Sequence, residues 1–234
     1  MELQNIRNVI KKNSNYCTDI MTPWERVSTN INESNEHYDY IPIVKNGIVS
    51  SLYVDEDKKK YNMDSGYFID EKADLISVLD RLNQLYNNGK FTFMVIGNTN
   101  KPIGILNHND LNKLSFIHVM WDIFYNFEIK LANCLEDKYS YDEKIKSLEL
   151  MDRLGKNSYN HDKNNNQDLD PIFYFNLSNK IKLYNKLPVT NIIKVDAKFR
   201  NNMAHPKTKA RIIYKKSEIP LLFKNLEEID KFLP

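Results

Sequence analysis

The residues best suited to chemistry lie near the end of the chain: Arg200-Asn201-Asn202-Met203-Ala204-His205, followed at once by Pro206. Histidine moves protons near neutral pH, and the arginine guanidinium holds phosphate through a rigid fork of donors. At a fixed spacing the two supply the minimum chemistry for gripping or cutting a phosphodiester. Pro206 cannot continue a helix, so His205 is expected in the last turn of one. The negative end of the helix dipole there favours imidazolium and raises the histidine pKa. Arg200 and His205 fall roughly 140° apart around such an axis. They do not stack, yet the long arginine side chain reaches a site that His205 borders. Asn201 and Asn202 fill the surface between them and supply amide donors.

The helix that carries this motif is expected to start at a cap on Thr190 or Asn191 and run to about Ala204. Ile192, Val195, Phe199 and Met203 recur at helical spacing and form its expected buried face. The whole second half reads as helix. Leu111 to Tyr139 holds no Pro or Gly, and Trp121, Phe124, Leu131 and Leu135 form a stripe beside Met120, Ile123 and Phe127. Glu128 interrupts this wide apolar face. On a core-facing seam it requires a partner; at a rim it meets solvent and needs none. A weak helix follows from Tyr141 to Leu154, ending at Gly155, then a polar loop from Asn157 to Gln167. Pro171 opens a helix through Leu177, Ile181 and Tyr184, and Glu218 to Phe232 reads as the last one.

The first half alternates strand and helix. Ile6 to Lys12 reads as a short helix. Tyr40 to Val44 and Ile48 to Val54 read as a hairpin around Asn46-Gly47, and Asp55 to Lys60 as its charged exit. A second copy is clearer: a strand at Tyr67-Phe68-Ile69, a helix from Ala73 to Tyr86 with Leu75, Ile76, Leu79, Leu82 and Leu85 at helical spacing, and a cap at Asn87-Asn88-Gly89. Strands at Phe91 to Ile96 and Ile103 to Leu106 flank a turn at 97–101, and Asp110 begins the next helix.

Bulk properties bound the function. The chain has 234 residues, 33 basic against 31 acidic, and a net charge of +2. That balance does not advertise a non-specific nucleic-acid binder, so any RNA contact must come from a local patch. Cys17 and Cys134 stand far apart, outside any metal or redox spacing, and read as reduced thiols of a cytoplasmic protein. No long apolar run opens the chain, and Phe116 to Phe127 is too short and polar to span a bilayer, so a soluble protein without membrane partners is expected. With only 6 glycines there is no phosphate-cradling loop, which argues against a P-loop or kinase chemistry.

The first half resembles a tandem pair of cystathionine-β-synthase (CBS) domains. Pro102-Ile103-Gly104-Ile105-Leu106-Asn107-His108-Asn109-Asp110-Leu111 is similar to that family's closing segment. Asp19-Ile20-Met21-Thr22-Pro23, Pro42-Ile43-Val44 and Ser51 to Asp57 supply the matching parts of the first copy. That copy has only Asn30 to Asp39 where the family places a full helix, and Ser51, Val54 and Asn107 replace the family's Gly and Thr. The resemblance implies an adenine-nucleotide site, AMP or ATP acting as a regulatory ligand on Asp57, Asp110 and Asn107. A purely structural or dimerising pair is the other outcome it allows.

The second half resembles HEPN domains through Arg200, Asn201, Ala204-His205-Pro206 and the helical bundle around them. That resemblance implies a homodimeric endoribonuclease with no metal or other cofactor required. His205 and Arg200 of two subunits would share one cleft, and Glu128 on the first helix would face Arg200. Relatives of this kind act in toxin–antitoxin, phage-defence and RNA-processing systems, which implies an RNA substrate and an antitoxin or adaptor partner. The expected fold is α+β: an α/β CBS-like pair over residues 1–112, then an all-α HEPN-like bundle over 113–234. The alternative function is a non-catalytic nucleotide sensor, dimerisation module or adaptor.

Other candidates have simpler accounts. Asp168 and Asp170 precede Pro171 as helix caps. His108, His118 and His161 lie at no metal-ligand spacing to a cysteine. Lys58-Lys59-Lys60 and Lys215-Lys216 are solvated charges, the second run close enough in sequence to the motif to help hold RNA.

Overall fold

The structure is a computed structural model. It describes residues 3–10, 16–29, 40–56, 58–98, 100–167, 169–189, 191–204 and 214–233. Helices and sheets both contribute, so the fold class is α+β. The chain divides into two compact units, one drawn from Arg7–Val119 and Pro206–Lys224, the other from Met1–Ile6, Met120–His205 and Asn225–Pro234. No described helix is long and apolar enough to cross a membrane.

The first of these units holds both sheets. After α1 (Gln4–Ile10) come β1 (Thr22–Pro23), β2 (Tyr40–Lys45) and β3 (Ile48–Val54). The β2–β3 hairpin closes on Asn46 and Gly47, both at positive φ (52° and 77°), the backbone that an Asn-Gly pair adopts at least cost. The chain then makes a third strand, β4 (Lys59–Asn62), antiparallel to β3. This corrects the expected charged exit. Lys60, Tyr61, Asn62 and Met63 alternate out and in, so Tyr61 and Met63 reach the core while the charged members face water.

The second sheet runs in the order β1-β7-β6-β5, with β5 at Phe68–Ile69, β6 at Phe93–Gly97 and β7 at Pro102–Asn107. Between the parallel strands β5 and β6 lies α2 (Leu75–Asn87), capped by Asp74, whose carboxylate accepts from Ser77 N at 2.8 Å. Its expected apolar stripe is buried throughout. Val49, Leu52 and Val54 of β3 meet Phe93 and Val95 of β6, so the two sheets share one core. The two expected copies are unequal. The second has the strand–helix–strand–strand order, whereas the first contributes the three-stranded β2-β3-β4 sheet and lends β1 to β7. That pairing needs Gly104: a Cβ there would lie 2.5 Å from Met21 Sδ and 2.7 Å from Thr22 O. The expected helix at Asp110 is a 3-10 turn, His108–Asn112, before α3 (Leu114–Glu136) begins. Residues 30–39 and Asp57 lie outside the described residues.

The other unit is helical. From Met120 onward α3 buries Met120, Ile123, Phe124, Phe127, Leu131 and Leu135. Ser140 and Glu143 form a capping box that starts α4 (Tyr141–Met151). The expected polar loop at 157–167 is instead largely helix, α5 (Arg153–Asn164). Asp152 caps it by accepting from Gly155 N at 3.0 Å, and Tyr159 is its single large buried anchor. Gly155 does not stop a helix here. It lets α5 approach the Tyr174 carbonyl so closely that a Cβ would collide with it. Pro171 opens only a 3-10 turn, Pro171–Tyr174, with Asp170 as its cap; α6 (Leu177–Tyr184) is a separate helix capped by Asn176. Asp168 lies outside the described residues. Near the end, α7 (Lys198–Ala204) and α8 (Ile219–Phe232) complete the helices. The ring of Phe232 stacks edge-on against Phe127 and Tyr184, with centroids 5.3 and 5.5 Å away.

Candidate functional site

The site in the helical unit grows from a carboxylate. Glu128 sits on α3 and is 5% exposed. Its Oε2 accepts from Arg200 Nε at 3.0 Å, and its Oε1 accepts from Lys180 Nζ at 2.9 Å. The expected contact between Glu128 and Arg200 is therefore present, and Glu128 stands on the seam rather than at a rim. Lys180, 3% exposed on α6, was not expected. Its signal in the sequence is the mirror of the Glu128 signal: it stands in the apolar stripe between Leu177 and Ile181, and a charge there requires a partner of opposite sign.

Each helix is pinned where its functional side chain begins. The Asn176 side-chain Oδ1 accepts from Asn179 N at 3.0 Å to start α6. Asp152 Oδ2 accepts from Asn176 N at 2.8 Å, Asn176 Nδ2 at 2.7 Å and Asn179 Nδ2 at 3.3 Å. One buried carboxylate thus fixes the turn directly before Lys180 while capping α5. Tyr139 donates to Leu183 O at 2.8 Å and ties the far end of α6 to the end of α3.

The approach to α7 differs from the expected helix over 191–204. Residues 191–197 are non-helical, held by side-chain amides: Asn185 bonds Ile193 N and O, both at 2.9 Å, and the fully buried Asn225 accepts from Asp196 N at 3.1 Å. Asp196 then accepts from Lys198 N at 2.8 Å at the start of α7. The expected face changes accordingly. Ile193, Val195, Ala197, Phe199 and Met203 are buried, whereas Ile192 is 57% exposed. An extended segment buries alternate residues, and a helical reading of Ile192 to Phe199 misplaces its first member.

Arg200 is fixed from two sides. Glu128 holds Nε, and Cζ lies 5.4 Å from the Trp121 ring centroid on α3, within cation–π range. The Arg200 side chain keeps 25% exposure, against 7% for Glu128 and 4% for Lys180. Burial pushes the Lys180 ammonium below the ordinary lysine range, and the Glu128 carboxylate opposes that shift. Lys180 and Arg200 share the Glu128 carboxylate, Asp152 lies near Lys180, and the cluster opens to solvent mainly at the guanidinium. Asn201 is exposed one residue on, and His205 lies outside the described residues.

No family model matches the chain, and no curated protein or solved structure matches it.

The expected nucleotide residues in the β-rich unit have local partners. Asp110 is 6% exposed; its Oδ2 accepts from Asn107 N at 2.7 Å and its Oδ1 pairs with Lys113 Nζ at 2.7 Å. Asn107 accepts from Asn109 N at 2.8 Å. This reciprocal capping box turns β7 into the 3-10 segment. Lys113 also donates to Ile20 O at 2.6 Å, so the Asp110 charge anchors the Asp19–Pro23 segment. Asp57 is not among the described residues. Among those residues no group of three or more His, Cys, Asp or Glu side chains is placed to hold a metal ion.

Proposed function

We propose that the helical unit acts on RNA, gripping a phosphodiester at Arg200 and cutting it with His205. The observation that carries this reading is the tethering of Arg200: a guanidinium anchored at Nε by a buried carboxylate, backed by an indole ring, and still open to solvent. A guanidinium held in this way offsets the charge that develops on the non-bridging oxygens of a pentacoordinate phosphorus without reorganising at the moment of reaction. In the proposed step His205 withdraws the ribose 2′-hydroxyl proton. The 2′-oxygen attacks phosphorus, the bond to the 5′-oxygen breaks, and the leaving oxygen takes a proton. The products are a 2′,3′-cyclic phosphate and a 5′-hydroxyl. Asn201, exposed beside Arg200, orients the strand or a second copy of the chain. A homodimer pairing two such motifs, and an antitoxin or adaptor restraining them in the cytoplasm, belong to the same proposal. Adenine-nucleotide control by the β-rich unit is not part of the proposal, because the capping box accounts for Asn107 and Asp110.

The test compares the wild-type chain with His205→Ala and Arg200→Ala on mixed RNA in excess chelator. Cleavage by the wild type alone, ending in cyclic phosphate, supports the reading. Equal cleavage by all three, or none by the wild type at high protein concentration, removes it.

A further inference from the structure

We infer that Lys180 is the positioning residue that keeps Arg200 available: by occupying one oxygen of Glu128, it prevents that carboxylate from closing on the guanidinium as a fork. The inference deepens the proposed function, because the guanidinium it frees is the one assigned to phosphate.

The argument is stereochemical. An arginine and a carboxylate pair most strongly through two parallel N–H···O bonds, which use both carboxylate oxygens and two guanidinium nitrogens. Here the oxygens are divided. Oε2 serves Arg200 Nε at 3.0 Å and Oε1 serves Lys180 Nζ at 2.9 Å. Among the described residues, the Nη atoms of Arg200 have no hydrogen-bond partner, and the side chain is the most exposed of the three. Lys180 is a poor choice for stability alone. Burial of its ammonium is costly, and an apolar residue of similar volume at such a position is often neutral or stabilising. The surrounding structure nevertheless fixes its helix through Asp152, Asn176 and Asn179. The arrangement fits a carboxylate that holds the arginine at one point and leaves the face-on fork for a phosphate.

Removing Lys180 should then cost the phosphate rather than the fold. Lys180→Met leaves Oε1 open, Glu128 closes on Arg200 as a bidentate pair, and the guanidinium is withdrawn from an incoming anion. Lys180→Gln keeps a neutral donor to Oε1 and the single-point tether. The experiment has two readouts on the full chain. The first is the nitrogen-15 NMR spectrum of the arginine side chains, assigned with Arg200→Lys. Wild type should show a protected Arg200 Nε–H with rapidly rotating Nη groups, Lys180→Met should slow one Nη group as well, and Lys180→Gln should match wild type. The second is affinity for a non-cleavable RNA carrying 2′-O-methyl groups. Lys180→Met should bind about tenfold more weakly, close to one charge-assisted hydrogen bond, while Lys180→Gln holds wild-type affinity.

A wild-type spectrum in which Arg200 Nε and Nη are equally slowed overturns the inference without any variant, so it stands testable even if Lys180→Met does not fold. Unchanged spectra across the three proteins overturn it as well. Absence of RNA binding by the wild type removes the RNA reading alone, since the spectra still decide how Lys180 acts on Arg200.

Discussion

At the scale of single residues, Glu128 decides most. It is the only carboxylate on the buried face of α3 among the described residues, and two cations depend on it. Glu128→Ala leaves the Lys180 ammonium buried without its anion and should lower unfolding stability by about 3–5 kcal/mol, read from urea denaturation. Lys180 also sets a pH dependence. Its folded pKa lies below the ordinary 10.5, so the unfolded chain binds more protons between the folded value and 10.5, and stability rises with pH over that interval. Lys180→Met should abolish that rise. Cys17 acts in the opposite sense. Burial pushes its thiol up to about 11 from 9.0, so the unfolded chain loses the proton first and stability falls with pH over that range. Cys17→Ala should remove that fall. The same burial separates the two thiols chemically: Cys17 is inaccessible and Cys134 exposed, so native protein should react with one equivalent of a thiol reagent, and Cys134→Ser with none. Glu128 was legible in the sequence because a charge broke an apolar stripe. Lys180 carries the same signal on α6, a charge between Leu177 and Ile181, but α6 is short and the stripe it breaks has few members.

Elements were legible where the pattern is long and strictly periodic. The α2 stripe, the Asn46-Gly47 hairpin and the apolar face of α3 follow directly from spacing. Elements held by isolated contacts were not. Polar residues crowd α5, which is helical because Asp152 caps it and Tyr159 anchors it, and Gly155 serves packing rather than termination. β4 and the residue after it place only Tyr61 and Met63 against the core, too few to stand out beside three lysines. Two substitutions test these contacts. Gly104→Ala forces a Cβ into Met21 and Thr22 and should cost about 2–3 kcal/mol with loss of the β1–β7 pairing, visible as faster amide exchange at Ile105. Asp152→Ala strands the donors of Gly155, Asn176 and Asn179 together; thermal unfolding should report a loss of ~3 kcal/mol.

At the scale of the whole molecule, the proposed chemistry needs an imidazole and a guanidinium on one phosphate. If the two come from different copies of the chain, Arg200→Ala and His205→Ala, each inactive alone, should recover RNA cleavage when mixed and allowed to exchange subunits. Failure to recover, with exchange verified by mass spectrometry, confines each site to one copy. The β-rich unit makes a separate prediction. With Asn107 and Asp110 spent on a capping box, AMP and ATP should leave the melting temperature unchanged, and a clear rise would return those residues to a ligand site.

By itself, the sequence determined what local rules determine: the α+β class, the stripes that must be buried, the turns that need Asn or Gly, and the pairing demanded by a carboxylate on a core seam. These depend on residues a few positions apart, whose relative placement the backbone period fixes. The tertiary structure decided which distant residues meet. Lys180 reaches a carboxylate 52 positions away and Arg200 one 72 positions away. Asn225 holds Asp196, 29 positions earlier and just ahead of α7. The short β1 joins a strand more than eighty residues on because one position there has no side chain. No spacing rule spans such separations; burial and charge do, because an ammonium or a carboxylate removed from water must find its counterpart wherever the packed chain brings it.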